Sequence, residues 1–155
     1  MNKWYRILVL NENIDRIHDA ISDLEKELLE ARTECQIKGS LEQAASRLPG
    51  LFEYRFSQLQ EVESILEYLN IELRKMRSIH YRNYLESYNR TLNYRDIEKY
   101  IDGEDDIVAW TKIVNAFALI RNQYLSITKA LDQKNWQISN IVKLRTAGLE
   151  DVQIS

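Results

Sequence analysis

The chain has 155 residues, 45% of them hydrophobic, a formal net charge of −3, and only 4 glycines, 1 proline and 1 cysteine. That length can bury a core without cross-links, a lone Cys35 excludes an internal disulfide, and the negative balance argues against a generic polyanion binder. The apolar run Ile7–Leu10, behind Trp4 and Tyr5, is too short for a signal peptide and no run approaches a membrane span, so a soluble, intracellular protein is expected.

Scarce glycine and proline among abundant Leu, Ile, Glu, Lys, Arg and Gln predict an all-α fold. Residues 1–155 read as one helical domain: an N-terminal helical region over 1–47, a long basic and aromatic helix over 51–92, and C-terminal helices over 94–148. Trp4–Leu10 reads as a short strand or as the apolar start of a helix. From Asn13 to about Glu34, Ile14, Ile17, Ile21, Leu24 and Leu28 recur at three- and four-residue steps. So narrow a stripe predicts a heptad-like helix that pairs with another helix of this chain or of a second copy. Gln36–Ser40 is a break. Ser40 with Gln43 forms a capping box for a short helix to Arg47, and Leu48-Pro49-Gly50 is read as the point where that helix stops.

No further Gly or Pro occurs before Gly103, which predicts a helix from Leu51 to about Tyr88. Ile65, Leu69, Leu73, Met76, His80 and Tyr84 share its core-facing sector, Lys75 and Arg82 lie opposite, and Arg74, Arg77, Tyr81 and Tyr88 form a strip between. Asn89–Asn93 is a predicted bend and Arg95–Ile101 a short helix. Glu104-Asp105-Asp106 is read as the acidic cap of the next helix rather than a cation loop, because the alternating ligands of an EF-hand are missing. Helical spacing then runs from Ile107 through Trp110, Phe117 and Tyr124 to Leu131. Gln133-Lys134-Asn135 is an expected interruption, Trp136–Ala147 a last helix, Gly148 its C′ residue, and Leu149–Ser155 a tail.

Charge is unevenly spread along the chain. Residues 1–71 carry 8 basic and 13 acidic side chains, Tyr94–Asp106 carries 2 and 6, while Glu72–Arg90 and Ile107–Gly148 are positive. Arg74, Lys75, Arg77, Arg82 and Arg90 interleave with Tyr81, Tyr84 and Tyr88, cations for phosphates and rings for base stacking. The same residues at the same spacing also suit a solvated face beside a packed seam. The apolar surface of the long helices exceeds what one slender set of helices covers, which predicts a homo-oligomer. Trp110, Phe117, Tyr124, Trp136 and Ile141 are assigned to that contact.

Enzyme signatures are weak, and no catalytic residue, metal site or cofactor is assigned. His18 and His80 lack an i, i+4 partner, Cys35 lacks an activating base, no Glu-x-x-His occurs, and the four glycines make no phosphate loop.

Tyr124-x-x-Ile127-x-x-Ala130-Leu131, followed by Trp136-x-Ile138-x-x-Ile141-x-x-Leu144-Arg145-x-Ala147-Gly148, resembles the C-terminal signature of the UvsY recombination mediators of large tailed bacteriophages. Upstream, Glu72-x-x-Lys75 and Ile79-His80-Tyr81-Arg82 look like the segment in which that family carries a Lys-x-Arg pair for single-stranded DNA. Arg82 matches the arginine, whereas His80 stands at the lysine, and the likeness spans about Leu41–Gly148. The resemblance implies a non-catalytic, ring-like homo-oligomer in the cytoplasm of an infected bacterium. It would bind single-stranded DNA without sequence preference at the positions of His80 and Arg82, and the basic and aromatic stretch adds Arg74, Lys75, Arg77, Tyr81, Tyr88 and Arg90 to the residues assigned to that contact. There it would weaken the hold of the single-strand-binding protein and help a RecA/UvsX-like recombinase load. The competing expectation is a helical oligomeric scaffold or adaptor with no nucleic-acid role.

Overall fold

The computed structural model describes residues 2–87 and 91–148, and the assignments made to Tyr88, Asn89, Arg90 and the tail Leu149–Ser155 lie outside them. The described residues are 88% helical, with no strand among them. A first turn, α1 (Lys3–Tyr5), widens into a π-helical segment over Arg6–Leu10, so Trp4–Leu10 is helix and not strand. A 3-10 turn at Ile14–Arg16 leads into α2 (Ile17–Glu34). Then come α3 (Leu41–Ser87), α4 (Tyr94–Asp102) and α5 (Asp105–Thr146).

Two expected interruptions are absent. Helix α3 runs through Leu48-Pro49-Gly50 without ending, and α5 runs through Gln133-Lys134-Asn135. Proline inside a helix removes one backbone hydrogen bond and costs ~3 kcal/mol. The apolar stripe of α3 keeps its phase across Pro49, with Ala44 and Leu48 buried before it and Leu59, Val62, Ile65 and Leu69 after it. Breaking the helix would strip that stripe from its partner, so tertiary burial outweighs the local penalty. Lys134, assigned to a turn, is itself buried, and its Nζ donates to the Glu34 carbonyl at 2.7 Å, covering the C-terminal end of α2.

Helices α2, α3 and α5 form the body. Helix α2 lies antiparallel to α3, with Glu34 against Arg55 and Glu27 against Gln58. Helix α5 is antiparallel to α3, as Trp110 Nε1 donates to the Leu69 carbonyl at 2.8 Å while Leu131 meets Leu48 near the other end. The heptad-like stripe of α2 thus finds its partners within the chain: Ile17, Leu24 and Leu28 share one core with Val62, Ile65, Phe117, Ile120 and Tyr124. A second, smaller core of Ile97, Ile101 and Ile107 fastens α4 to the far end of α3, against Leu73, Met76, Tyr81 and Tyr84.

Caps follow local chemistry. Ser40 Oγ accepts the Gln43 N–H at 3.1 Å, Asn93 Oδ1 accepts the Asp96 N–H at 2.9 Å, and Gly148 adopts φ +75° at the end of α5. The Glu104 side chain makes no cap bond, although Asp105 and Asp106 occupy the first turn of α5 as expected.

Arg55 holds the α2–α3 seam. It is 1% exposed, yet its guanidinium grips both oxygens of Glu34 at 2.8 and 2.6 Å and reaches Glu27 and Gln58 at 2.8 Å each. These carboxylates hold its pKa above even the ordinary arginine value against the opposing effect of burial.

Glu61 is the opposite case. It is 9% exposed, its Oε2 has no hydrogen-bond partner among the described residues, and it lines a cavity of ≈ 190 Å³ with Trp4, Asp23 and Glu27. Burial pushes its carboxyl above the ordinary 4.5, against the lowering effect of the Tyr5 backbone hydrogen bond. A raised folded-state pKa means that folding favours the protonated form. The contribution of this group to stability is full below pH 4.5 and is lost as pH climbs through the folded-state value. Glu61→Gln is therefore expected to stabilise the protein at pH 7 by about 1 kcal/mol, a gain that fades near pH ~4. Urea unfolding at the two pH values reads this, and an equal gain at both would contradict it.

Candidate nucleic-acid interface

The basic stretch lies on the half of α3 that α4 and the start of α5 cover on one side. Periodicity dictates which cations are held and which are left in water. Arg77 falls on the covered side, where its guanidinium pairs with Glu98 and, at 2.8 Å, with Asp102, both on α4. These hydrogen bonds, Asp102 first, raise its pKa above the ordinary value. A guanidinium forked between two carboxylates is spent on attaching α4 and presents little net charge to a phosphate.

His80 sits on the same side. Its Nε2 lies 2.8 and 2.9 Å from the Asp106 carboxylate oxygens, and its Nδ1 is 3.9 Å from Glu104 Oε1. The Asp106 carboxyl is pulled below the ordinary 3.8, first by the His80 hydrogen bond and also by the Ile107 backbone N–H. Helical phase had placed His80 in the core and the family likeness on DNA. The structure gives it a half-buried seam facing carboxylates.

Among the described residues of the stretch, three cations remain in solvent. Arg74 and Lys75 are about two-thirds exposed and carry only surface pairs, to Glu67 at 3.5 Å and to Glu72 at 3.2 Å. Such pairs contribute ~0–1 kcal/mol and yield readily to a competing phosphate. Arg82 is exposed and makes no salt bridge among the described residues.

The aromatic component is relocated as well. Tyr81 and Tyr84 are half-buried against the small core, and the Tyr84 hydroxyl donates to Glu104. Their rings lead outward to two tyrosines of α4: Tyr81 to Tyr94, with centroids 6.1 Å apart, and Tyr84 to Tyr100, stacked at 5.7 Å. Tyr94 and Tyr100 are both more than half exposed. The sequence reading assigned neither of them. A signal for α4 as a cover was present in the run Tyr94–Asp106, whose six acids against two bases complement the basic stretch.

The residues assigned to subunit contact divide in the same way. Phe117 and Tyr124 are completely buried in the chain's own core, and Trp110 is half-buried and bonded to Leu69, so these three serve the protomer's interior. Ile141 is half-buried, and Trp136 is 63% exposed. Among the described residues no helix is long and apolar enough to cross a membrane. Comparison with family models, curated proteins and solved structures finds no match to this chain.

Proposed function

We propose that this protein binds single-stranded DNA without sequence preference and acts as a recombination mediator of the UvsY kind. In that role it loosens a single-strand-binding protein and assists loading of a RecA/UvsX-like recombinase. The observation that carries the reading is the set Arg74, Lys75 and Arg82, in solvent along α3, a helix whose Tyr81 and Tyr84 pack against the exposed rings of Tyr94 and Tyr100 of α4. Cations that neutralise phosphates and rings that stack on any base bind strand without reading sequence. One protomer offers a modest patch, and homo-oligomerisation repeats it at high effective concentration.

Salt dependence tests this directly. Affinity for an oligothymidine, followed by fluorescence anisotropy between about 50 and 200 mM salt, is expected to fall steeply. Lys75→Ala and Arg82→Ala should each weaken binding and flatten the log–log slope by about 0.7, with helicity unchanged. Arg77→Ala, whose partners are Glu98 and Asp102, should change the slope little and instead loosen α4. If the first two substitutions leave affinity and slope unchanged, the reading fails.

One observation favours a second reading, a helical scaffold that associates through protein contacts alone. Phe52 and Phe56 stack at 5.9 Å on the surface of α3, Phe52 lines a cleft with Leu131 and Asn135, and Trp136 stands exposed next in the chain. A scaffold of this kind would form oligomers with no DNA affinity even at low salt, whereas a mediator would show both.

A further inference from the structure

We propose that His80, Glu104 and Asp106 form a site for one divalent transition-metal ion of the zinc class. It is the only group of three or more His, Cys, Asp or Glu residues among the described residues whose donor atoms lie close enough together, all within 4.8 Å of one another. Local spacing could not disclose it, because His80 comes from the C-terminal part of α3 and the carboxylates come from the α4–α5 turn and the first turn of α5. Nitrogen and oxygen ligands bonded at ~2.0–2.2 Å in a tetrahedron stand roughly 3.4 Å apart. His80 Nε2 and Asp106 are now at 2.8 Å, so small side-chain adjustments open the space, with Glu104 drawn in and solvent completing the shell.

The donor set selects the ion. Imidazole with two carboxylates suits Zn²⁺ or Co²⁺, whereas Mg²⁺ takes oxygen ligands and retains its water. The positive end of α5 alone would repel a cation, but Glu104, Asp105 and Asp106 together outweigh its roughly half charge. Supporting bonds orient two ligands: the Tyr84 hydroxyl donates to Glu104 Oε1, and the Ile107 N–H donates to Asp106 Oδ1 at 2.8 Å. A bound ion ties α3 to α5 across α4 and keeps His80 out of the cation set offered to DNA.

Titration calorimetry of the full chain with Zn²⁺ is expected to show one ion per chain and no comparable binding of Mg²⁺. Co²⁺ is expected to give visible d–d bands, and Zn²⁺ to shift the His80 ring nitrogen resonances. His80→Ala and Asp106→Asn should each weaken Zn²⁺ at least tenfold, with folding checked by circular dichroism, while His18→Ala leaves it unchanged. Wild-type Zn²⁺ affinity in either the His80 or the Asp106 variant, or His80 resonances unmoved by Zn²⁺, overturns the site.

Discussion

Arg55→Ala is expected to destabilise the protein by about 3–5 kcal/mol, a large share of the 5–15 kcal/mol that holds a typical domain together. The cost arises mostly from what the substitution leaves behind. Glu34 and Glu27 would face each other across the α2–α3 seam with the guanidinium that bridges them gone, and Gln58 would lose its donor. Water cannot fully replace that guanidinium, because it is 1% exposed and packed over the Tyr54 ring at 4.8 Å. Arg55→Lys should recover only part of the loss, since a single ammonium cannot grip both oxygens of Glu34 while reaching Glu27. Arg55→Met combined with Glu34→Leu should recover more, because an apolar pair of similar volume removes most of the stranded charge. Urea midpoints of the four proteins test the order. Equal stability of Arg55→Ala and wild type would mean that the buried network contributes nothing to the bundle.

Phe117→Ala should cost a similar amount, about 3–5 kcal/mol, from lost burial together with the cavity left behind. Phe117 is fully buried between α5 and the stripes of α2 and α3, where Leu24, Val62 and Tyr124 belong to the same core. The loss should therefore appear as unfolding of the protomer. Trp136→Ala should behave in the opposite way. With the indole 63% exposed, stability should stay within about 0.5 kcal/mol, and any oligomer built on that surface should lose mass by light scattering. If Phe117→Ala instead dissociates an oligomer whose subunits stay as stable as wild type, its place in the protomer core is overturned.

Both outcomes depend on features of unequal visibility in the sequence. The helical stripes were legible because burial on one face of a helix imposes a 3.6-residue period. That period placed Ile65, Leu69, Leu73 and Met76 on one side of α3 and Lys75 and Arg82 on the other. The cap at Ser40 and the acidic first turn of α5 were legible for a comparable reason, since they depend on residues only a few positions apart. Pro49 and the Gln133-Lys134-Asn135 stretch misled because local breaking tendencies are worth a few kcal/mol, less than the burial of an uninterrupted stripe.

The sequence by itself determined that this chain is helical, where its apolar faces lie, and that its cations gather in one part of α3. Only the tertiary structure decided which of those cations remain available. Arg77 and Arg55 look like Arg74 and Arg82 in a list of residues. Yet Arg77 is held by Glu98 and Asp102, and Arg55 lies sealed between Glu34 and Glu27. The partners stand 21 or more residues away along the chain, and no periodicity within one helix encodes how another helix will lie across it. The same holds for His80, whose neighbours Glu104 and Asp106 reach it only after α4 folds back. Helix formation is governed by contacts within a few residues, whereas the charge a surface offers to a ligand depends on which distant carboxylates packing brings beside it.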